Sequence, residues 1–261
     1  MGVLKNRPDL IVDLENCFGK RVFAIIFNPE FEEGIKKGDE KYFYDFIQRM
    51  IVKENIYDCI ILLSGFGGNL STSIFCASLL RKYLKRYEVF VPFVAGSSLC
   101  YFILKADKVY LGNKTKITQI DPMFEHNDQI LRAGDHMSHP DPEIRNLSHL
   151  YFNSVYENLK KIIIERPNVF SKDVSKRILF KQDHLFKLVR FWMKKEFHES
   201  SITLREMNKL KINCASVKKD VCDIASSLIK LCLKELKEER LRFAIQTYKV
   251  EEGYLGGFFY P

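Results

Sequence analysis

The segment Tyr87 to Met123 constrains the fold most strongly. An apolar run, Val89 to Val94, stops at Ala95-Gly96; Ser97 and Ser98 then open a short apolar segment that ends near Ala106. A short apolar run bounded by turn residues and followed by a second apolar segment predicts strand, tight turn, helix and strand, the unit from which α/β folds are built. A serine at such a junction meets unpaired backbone N–H groups and the positive end of a helix dipole, which favour a developing oxyanion. The same serine is equally suited to capping the helix, and the segment taken alone favours capping.

A second junction lies upstream. Tyr57 to Leu63 reads as a buried strand, Ser64-Gly65-Phe66-Gly67-Gly68-Asn69 as a glycine-rich turn, and Leu70 to Leu84 as a long helix. Glycines after a strand let backbone amides face a ligand without a Cβ in the way. The turn matches neither a phosphate-binding loop nor the spaced-glycine dinucleotide fingerprint. Paired with the serine junction, it suggests an oxyanion site from one turn and a nucleophile from the other.

The order of these features resembles the serine dehydrogenase proteinase family, a branch of the Clp protease and crotonase superfamily related to signal peptide peptidase A. The residues that carry the resemblance are the Gly67-Gly68 turn, a strand ending Val91-Pro92, then Ala95-x-Ser97, Ala106-Asp107-x-Val109, Gly112 and Ile120-Asp121-Pro122. A downstream anchor, Phe197-His198 with Ile202-Thr203, Glu206 and Leu210, falls in the family's order, so the likeness runs from about Arg21 to about Asn213. It implies an α/β fold: one Clp/crotonase-like domain over residues 1–261, a spiral of ββα units with helices covering the sheets. The core would occupy about 21–213, and a C-terminal helical region with a short terminal strand about 214–261.

The resemblance also implies a site. Ser97 takes the place of the nucleophile, His198 is the candidate general base and Asp121 an orienting or electrostatic group, with Gly67, Gly68 and the Ser98 amide receiving the oxyanion. In relatives of the signal peptide peptidase type the base is a lysine, yet no lysine occurs between Lys116 and Lys160. Where a Clp-type histidine would fall, this chain has Asp121-Pro122. It departs from the family elsewhere too: Ile117-Thr118-Gln119 stands for Leu-Gly-Pro, Met123 for the usual Gln, and Ser98-Leu99-Cys100 for smaller residues after the serine.

Three functions follow as expectations. The first is a serine peptidase-like hydrolase acting on a peptide or protein substrate through a Ser97 acyl-enzyme, with no cofactor and no metal. The second is a catalytically weak or inactive scaffold or regulatory subunit, and the third an acyl-CoA enzyme that keeps the oxyanion site without a serine nucleophile. A homo-oligomer is expected in each case.

Composition agrees with a soluble protein: 46% hydrophobic and 28% charged residues. The net charge of +8 is spread over helical faces, with no clear nucleic-acid site. Seven cysteines without a CxxC pair point to buried thiols in a reducing compartment. No stretch has the length of a transmembrane segment, and a cytoplasmic location is expected.

The remaining chain reads as follows. Pro8 to Gly19 is a leading helix or loop, Arg21 to Phe27 the first core strand, and Asp39 caps a helix to about Val52. Phe124 to Pro142 reads as an exposed loop or a lid over the site, whose His136 and His139 are better read as solvated than as metal ligands. Pro142 to about Ile164 is a long helix that covers the site or meets a neighbouring subunit. A helical region starts at Ser171 or Asp173, Gln182 to Lys195 is amphipathic, and Thr203 with Glu206 forms a capping box. Asp220 to Glu238 is a helix, Arg242 to Lys249 an edge strand, and Glu251 to Pro261 an aromatic tail that packs on this subunit or on a partner.

Overall fold

In the computed structural model, which describes residues 7–30, 34–165, 182–193, 201–209, 211–241, 243–249 and 254–260, near-continuous apolar runs such as RVFAIIF put apolar side chains on both faces of the sheet, which must therefore be covered on both. Helix α1 (Arg7–Phe18) leads into β1 (Arg21–Phe27); α2 (Glu40–Phe46) continues as a π-helical segment over Ile47–Val52 and leads to β2 (Asp58–Ser64). Then follow α3 (Leu70–Tyr83), β3 (Arg86–Val91), β4 (Val94–Ala95), a 3₁₀ turn at Ser97–Leu99, α4 (Cys100–Lys105), β5 (Lys108–Leu111) and β6 (Lys116–Ile117). The second half contains β7 (Met123–His126), β8 (Gln129–Arg132), α5 (Pro142–Glu165), α6 (Gln182–Met193), α7 (Leu204–Lys209), β9 (Cys214–Ser216), α8 (Lys219–Glu238), β10 (Phe243–Lys249) and β11 (Tyr254–Tyr260).

The main sheet has seven strands in the order β11-β10-β1-β2-β3-β5-β9. Strands β1, β2, β3, β5 and β9 are parallel, and β10 and β11 join antiparallel. On β1, Phe23, Ile25 and Phe27 enter one apolar cluster with α2 to α6, while Val22, Ala24 and Ile26 enter a second with α1 and α8. Side chains of a strand alternate faces, so this sheet is buried on both, as parallel sheets are. The helix over Glu40–Val52 buries Phe43, Phe46, Ile47 and Met50 on its expected apolar face. The Asp39 side chain does not cap it; its carboxylate instead accepts from the Lys36 amide at 2.7 Å.

Three expectations are corrected, and one strand was not foreseen. The apolar run Val89 to Val94 is not one strand: β3 ends at Val91, as the resemblance implied, and the chain leaves the main sheet at Pro92-Phe93, where proline has no N–H for a ladder, so that Val94–Ala95 pairs parallel with Lys116–Ile117 in a separate sheet. Phe124 to Pro142 is not a plain loop. It begins as the hairpin β7-β8, whose turn residues Asn127 and Asp128 both have positive φ, 50° and 60°, as a type I′ turn requires. The Phe243–Lys249 strand is internal rather than an edge, because the tail supplies β11 beside it. Strand β9, three residues beside β5, was too short to give a period.

The capping box forms: the Glu206 amide donates to Thr203 Oγ1 at 3.2 Å, and the Thr203 amide donates to Glu206 Oε2 at 2.8 Å. The helical region expected from Ser171 or Asp173 lies outside the described residues. No helix among those residues is long and apolar enough to cross a membrane.

Candidate active site

The two turns are joined by their backbones. The Gly65 amide donates to the Val94 carbonyl at 3.1 Å and the Gly96 amide to the Gly65 carbonyl at 3.0 Å, so the end of β2 and the end of β4 run side by side. Gly67 (φ 112°) and Gly68 (φ 130°) then turn the chain into α3. A Cβ on Gly67 would lie 2.8 Å from the Gly96 carbonyl oxygen and 2.9 Å from Ser97 Cβ. Gly67 is therefore in direct contact with the serine junction.

The outer side of the turn is held by the segment after β1. The Ile35 amide donates to the Gly67 carbonyl at 2.8 Å, and the Asn69 amide to the Ile35 carbonyl at 2.6 Å. Asn69 also caps α3, accepting from the Thr72 amide at 3.0 Å. Among the described residues, the amides of Gly68 and Ser98 have no hydrogen-bond acceptor, and both residues line a cleft of about 420 Å³.

Ser97 does not act as a helix cap. Gly96 occupies the N-cap position, with no side-chain cap bond, and Ser97 itself has φ 47°. Left-handed backbone at a non-glycine residue costs about 1–2 kcal/mol, so surrounding contacts must hold it. Its amide donates to Thr118 Oγ1 at 2.9 Å. Next to it, the hydroxyls of Ser73 and Ser98 share a buried hydrogen bond of 2.8 Å, which fastens the serine turn to α3. The Cys100 thiol donates to the Thr118 carbonyl at 2.9 Å, and burial pushes its pKa far up, so it stays protonated and remains a donor.

Ser97, Ser98, Gly68 and Asp121 line the cleft together, with Tyr151, Ser154 and Val155 of α5 along another side. Helix α5 thus forms one wall of the cleft. The Asp121 carboxylate is buried and ion-paired with Arg132 at the end of β8, Nη2 to Oδ1 2.9 Å. No histidine or lysine is among the described residues lining the cleft. His198 lies outside the described residues, but the chain on either side of its segment is anchored near the site. The Ile120 amide donates to the Trp192 carbonyl at 3.0 Å, and the Ile202 amide donates to the Ile117 carbonyl at 2.6 Å.

Sequence reasoning missed Thr118, Arg132, Ser73 and the α5 residues of the cleft wall. Thr118 did stand out as a departure from the family pattern; nothing in the sequence linked Arg132 to Asp121. His136 and His139 pack edge to face at 5.4 Å, and His139 Nδ1 accepts from the Asp141 amide at 3.1 Å, which gives this pair a role in shaping the turn before α5.

No protein-family model matches the chain, and no curated protein matches it. Among solved structures it is similar to a mutant of the membrane-bound stomatin-specific protease 1510-N, with TM-score 0.44 and 15% identity over 72% of this chain and 76% of that one. A second mutant of 1510-N, in complex with a substrate peptide, gives TM-score 0.43 and 16% identity over 68% of each chain. Likeness at this level assigns no residue roles.

Proposed function

We propose that the chain is a serine hydrolase of the Clp/crotonase type that cleaves peptide bonds through an acyl-enzyme on Ser97, as its resemblance to the serine dehydrogenase proteinase family implies. The observation that carries this reading is the strained Ser97, φ 47°, on a strand-to-helix junction, in one cleft with Gly68, Ser98 and Asp121. Strained backbone at a cleft is a reason to look for function there. A serine hydroxyl needs a base to become nucleophilic near neutral pH, and His198 is proposed for that role. The bonds that hold Trp192 and Ile202 beside the segment Ile117 to Ile120 support its reach to the cleft.

In this mechanism Ser97 Oγ adds to the substrate carbonyl carbon as its proton passes to the His198 imidazole. The amides of Gly68 and Ser98 receive the oxyanion, with Gly67 shaping the turn. Collapse breaks the C–N bond, and the leaving amine takes the proton from the imidazolium. Water then adds to the acyl-enzyme with its proton going to His198, and Ser97 recovers its own on release of the acid. Asp121 supplies a negative charge beside the site. We further propose a single domain, a homo-oligomer and a reducing, cytoplasmic setting; the seven free thiols favour the last.

A catalytically inert scaffold is the second reading. It is favoured by the described cleft lining, which offers no histidine or lysine, and by the commitment of Asp121 to Arg132. Labelling with a fluorophosphonate probe, read by intact mass, separates the two. One adduct on wild type, absent from Ser97→Ala and strongly slowed in His198→Ala, supports the hydrolase; folded wild type without an adduct supports the scaffold.

A further inference from the structure

We infer that Thr118 is a positioning residue for the nucleophile, its hydroxyl holding the Ser97 amide and so the backbone geometry that presents Ser97 to the cleft. The inference rests on the hydrolase reading only for its catalytic consequence. Thr118 is bonded to the serine turn in three ways. Its amide donates to the Ala95 carbonyl at 3.2 Å, its hydroxyl oxygen accepts from the Ser97 amide at 2.9 Å, and its carbonyl accepts from the Cys100 thiol at 2.9 Å.

These bonds reach the residues before, at and after the strained position. The first continues the β4-β6 pairing and any residue with an N–H would make it. The second depends on the side chain, since only an acceptor placed there satisfies the Ser97 amide. The Ser97 φ of 47° is a conformation that serine alone does not favour. The bond to Thr118 is one of the contacts that hold this unfavoured backbone, so losing the acceptor removes a reason for the turn to stay in place. The Ser98 amide, proposed for the oxyanion, follows Ser97 directly, and any relaxation at Ser97 turns both. A Cβ-less residue at 118 could not make the bond, which sets this chain apart from the pattern it otherwise resembles.

The hydroxyl is separated from the bulk of the side chain by three variants: Thr118→Val keeps the shape, Thr118→Ser keeps the hydroxyl, and Thr118→Ala removes both should the valine variant fail to fold. The first readout, independent of activity, is amide hydrogen exchange resolved at Ser97 by NMR. Exchange should quicken roughly tenfold in Thr118→Val, the loss of about one hydrogen bond, and stay near wild type in Thr118→Ser. The second is the fluorophosphonate reaction, in which Thr118→Val should lower the maximal inactivation rate with the probe's affinity unchanged, and Thr118→Ser should restore it. Unchanged Ser97 exchange in Thr118→Val, or equal losses in the serine and valine variants, overturns the inference. An unlabelled wild type overturns the hydrolase reading, and the exchange measurement then decides by itself whether Thr118 holds Ser97.

Discussion

The buried Asp121 carboxylate is held 2.9 Å from the guanidinium of Arg132, a residue delivered by the far strand of a hairpin. The register makes this possible: Met123 pairs with Arg132, and the Ala133 amide donates to the Pro122 carbonyl at 2.9 Å. The hairpin therefore closes beside Asp121 rather than over open solvent. Arg132 also faces Asp135 at 3.8 Å, a weaker and more exposed contact. Removing one member of a buried pair leaves a charge with too little compensation. Arg132→Met should cost about 2–3 kcal/mol, below the fully buried range because the arginine keeps some exposure. Adding Asp121→Asn should recover part of that loss in urea titrations, whereas strict additivity of the two changes would remove the ion pair from the account.

Three glycines predict a graded series. Gly19 has φ 63° with nothing within 4 Å of an added Cβ, so Gly19→Ala should cost only the conformational penalty, about 1 kcal/mol. Gly67→Ala adds contacts at 2.8 Å and 2.9 Å with Gly96 and Ser97, and should cost about 2–3 kcal/mol. At Gly34 the Cβ would lie 1.9 Å from the Gly67 carbonyl oxygen, which forces the backbone apart, and at least about 3 kcal/mol is expected. Chemical denaturation of the three variants would refute the series if Gly34→Ala proved no worse than Gly19→Ala.

Much of this arrangement was legible in the sequence where a long segment carried a clear period. Arg21 to Phe27, the helix Leu70–Tyr83 and the helix Pro142–Glu165 lie within a residue or two of expectation, because each buries a regular set of side chains. The junctions carrying Gly67, Gly68 and Ser97 were legible because glycine and serine interrupt apolar runs there. Hydrophobic patterning alone ran through the break at Pro92-Phe93, because Phe93 and Val94 are as apolar as the strand before them, whereas the resemblance ended the strand at Val91-Pro92, where β3 ends. The hairpin was missed because its turn uses Asn-Asp without the glycine that usually marks such turns. Contacts such as Thr118 to Ser97 and Asp121 to Arg132 depend on hydroxyl and guanidinium placement, to which hydrophobic patterning is blind.

The pH response of stability should contain two opposed glutamates. For Glu88, burial works to raise the pKa, but hydrogen bonds and charge from Arg86 and Lys20 outweigh it and leave it below the ordinary value. A depressed folded-state pKa stabilises above the unfolded value and is lost as pH falls through the folded one. Glu15 has the opposite sign: burial raises its pKa despite the Val22 amide and Arg21. Its contribution is present at low pH and is lost as pH rises through the raised pKa. Glu88→Gln should therefore flatten the acid-side loss of stability below the ordinary carboxylate range, and Glu15→Gln should steepen the rise across and just above it. Melting curves between acid and neutral pH check both slopes, and parallel profiles for the two variants would contradict the assignment.

Trp192 is the chain's one tryptophan, fully buried on α6, and it reports on the docking of that helix beside Asp121. Two bonds fix the contact: the Ile120 amide to the Trp192 carbonyl at 3.0 Å, and Gln119 Nε2 to the Phe191 carbonyl at 2.6 Å. Gln119 is itself buried, so Gln119→Met keeps the volume but leaves the Phe191 carbonyl without that donor. About 1–2 kcal/mol should be lost, with Trp192 emission moving to the red and acrylamide quenching increasing as α6 loosens. Trp192→Ala should cost more, about 3–5 kcal/mol, because it empties a packed site. If Gln119→Met destabilised the protein while Trp192 emission and quenching stayed native, the side-chain bond would support the Ile117 to Ile120 segment without holding the helix, and the anchoring of α6 would rest on the Ile120 backbone bond and apolar packing.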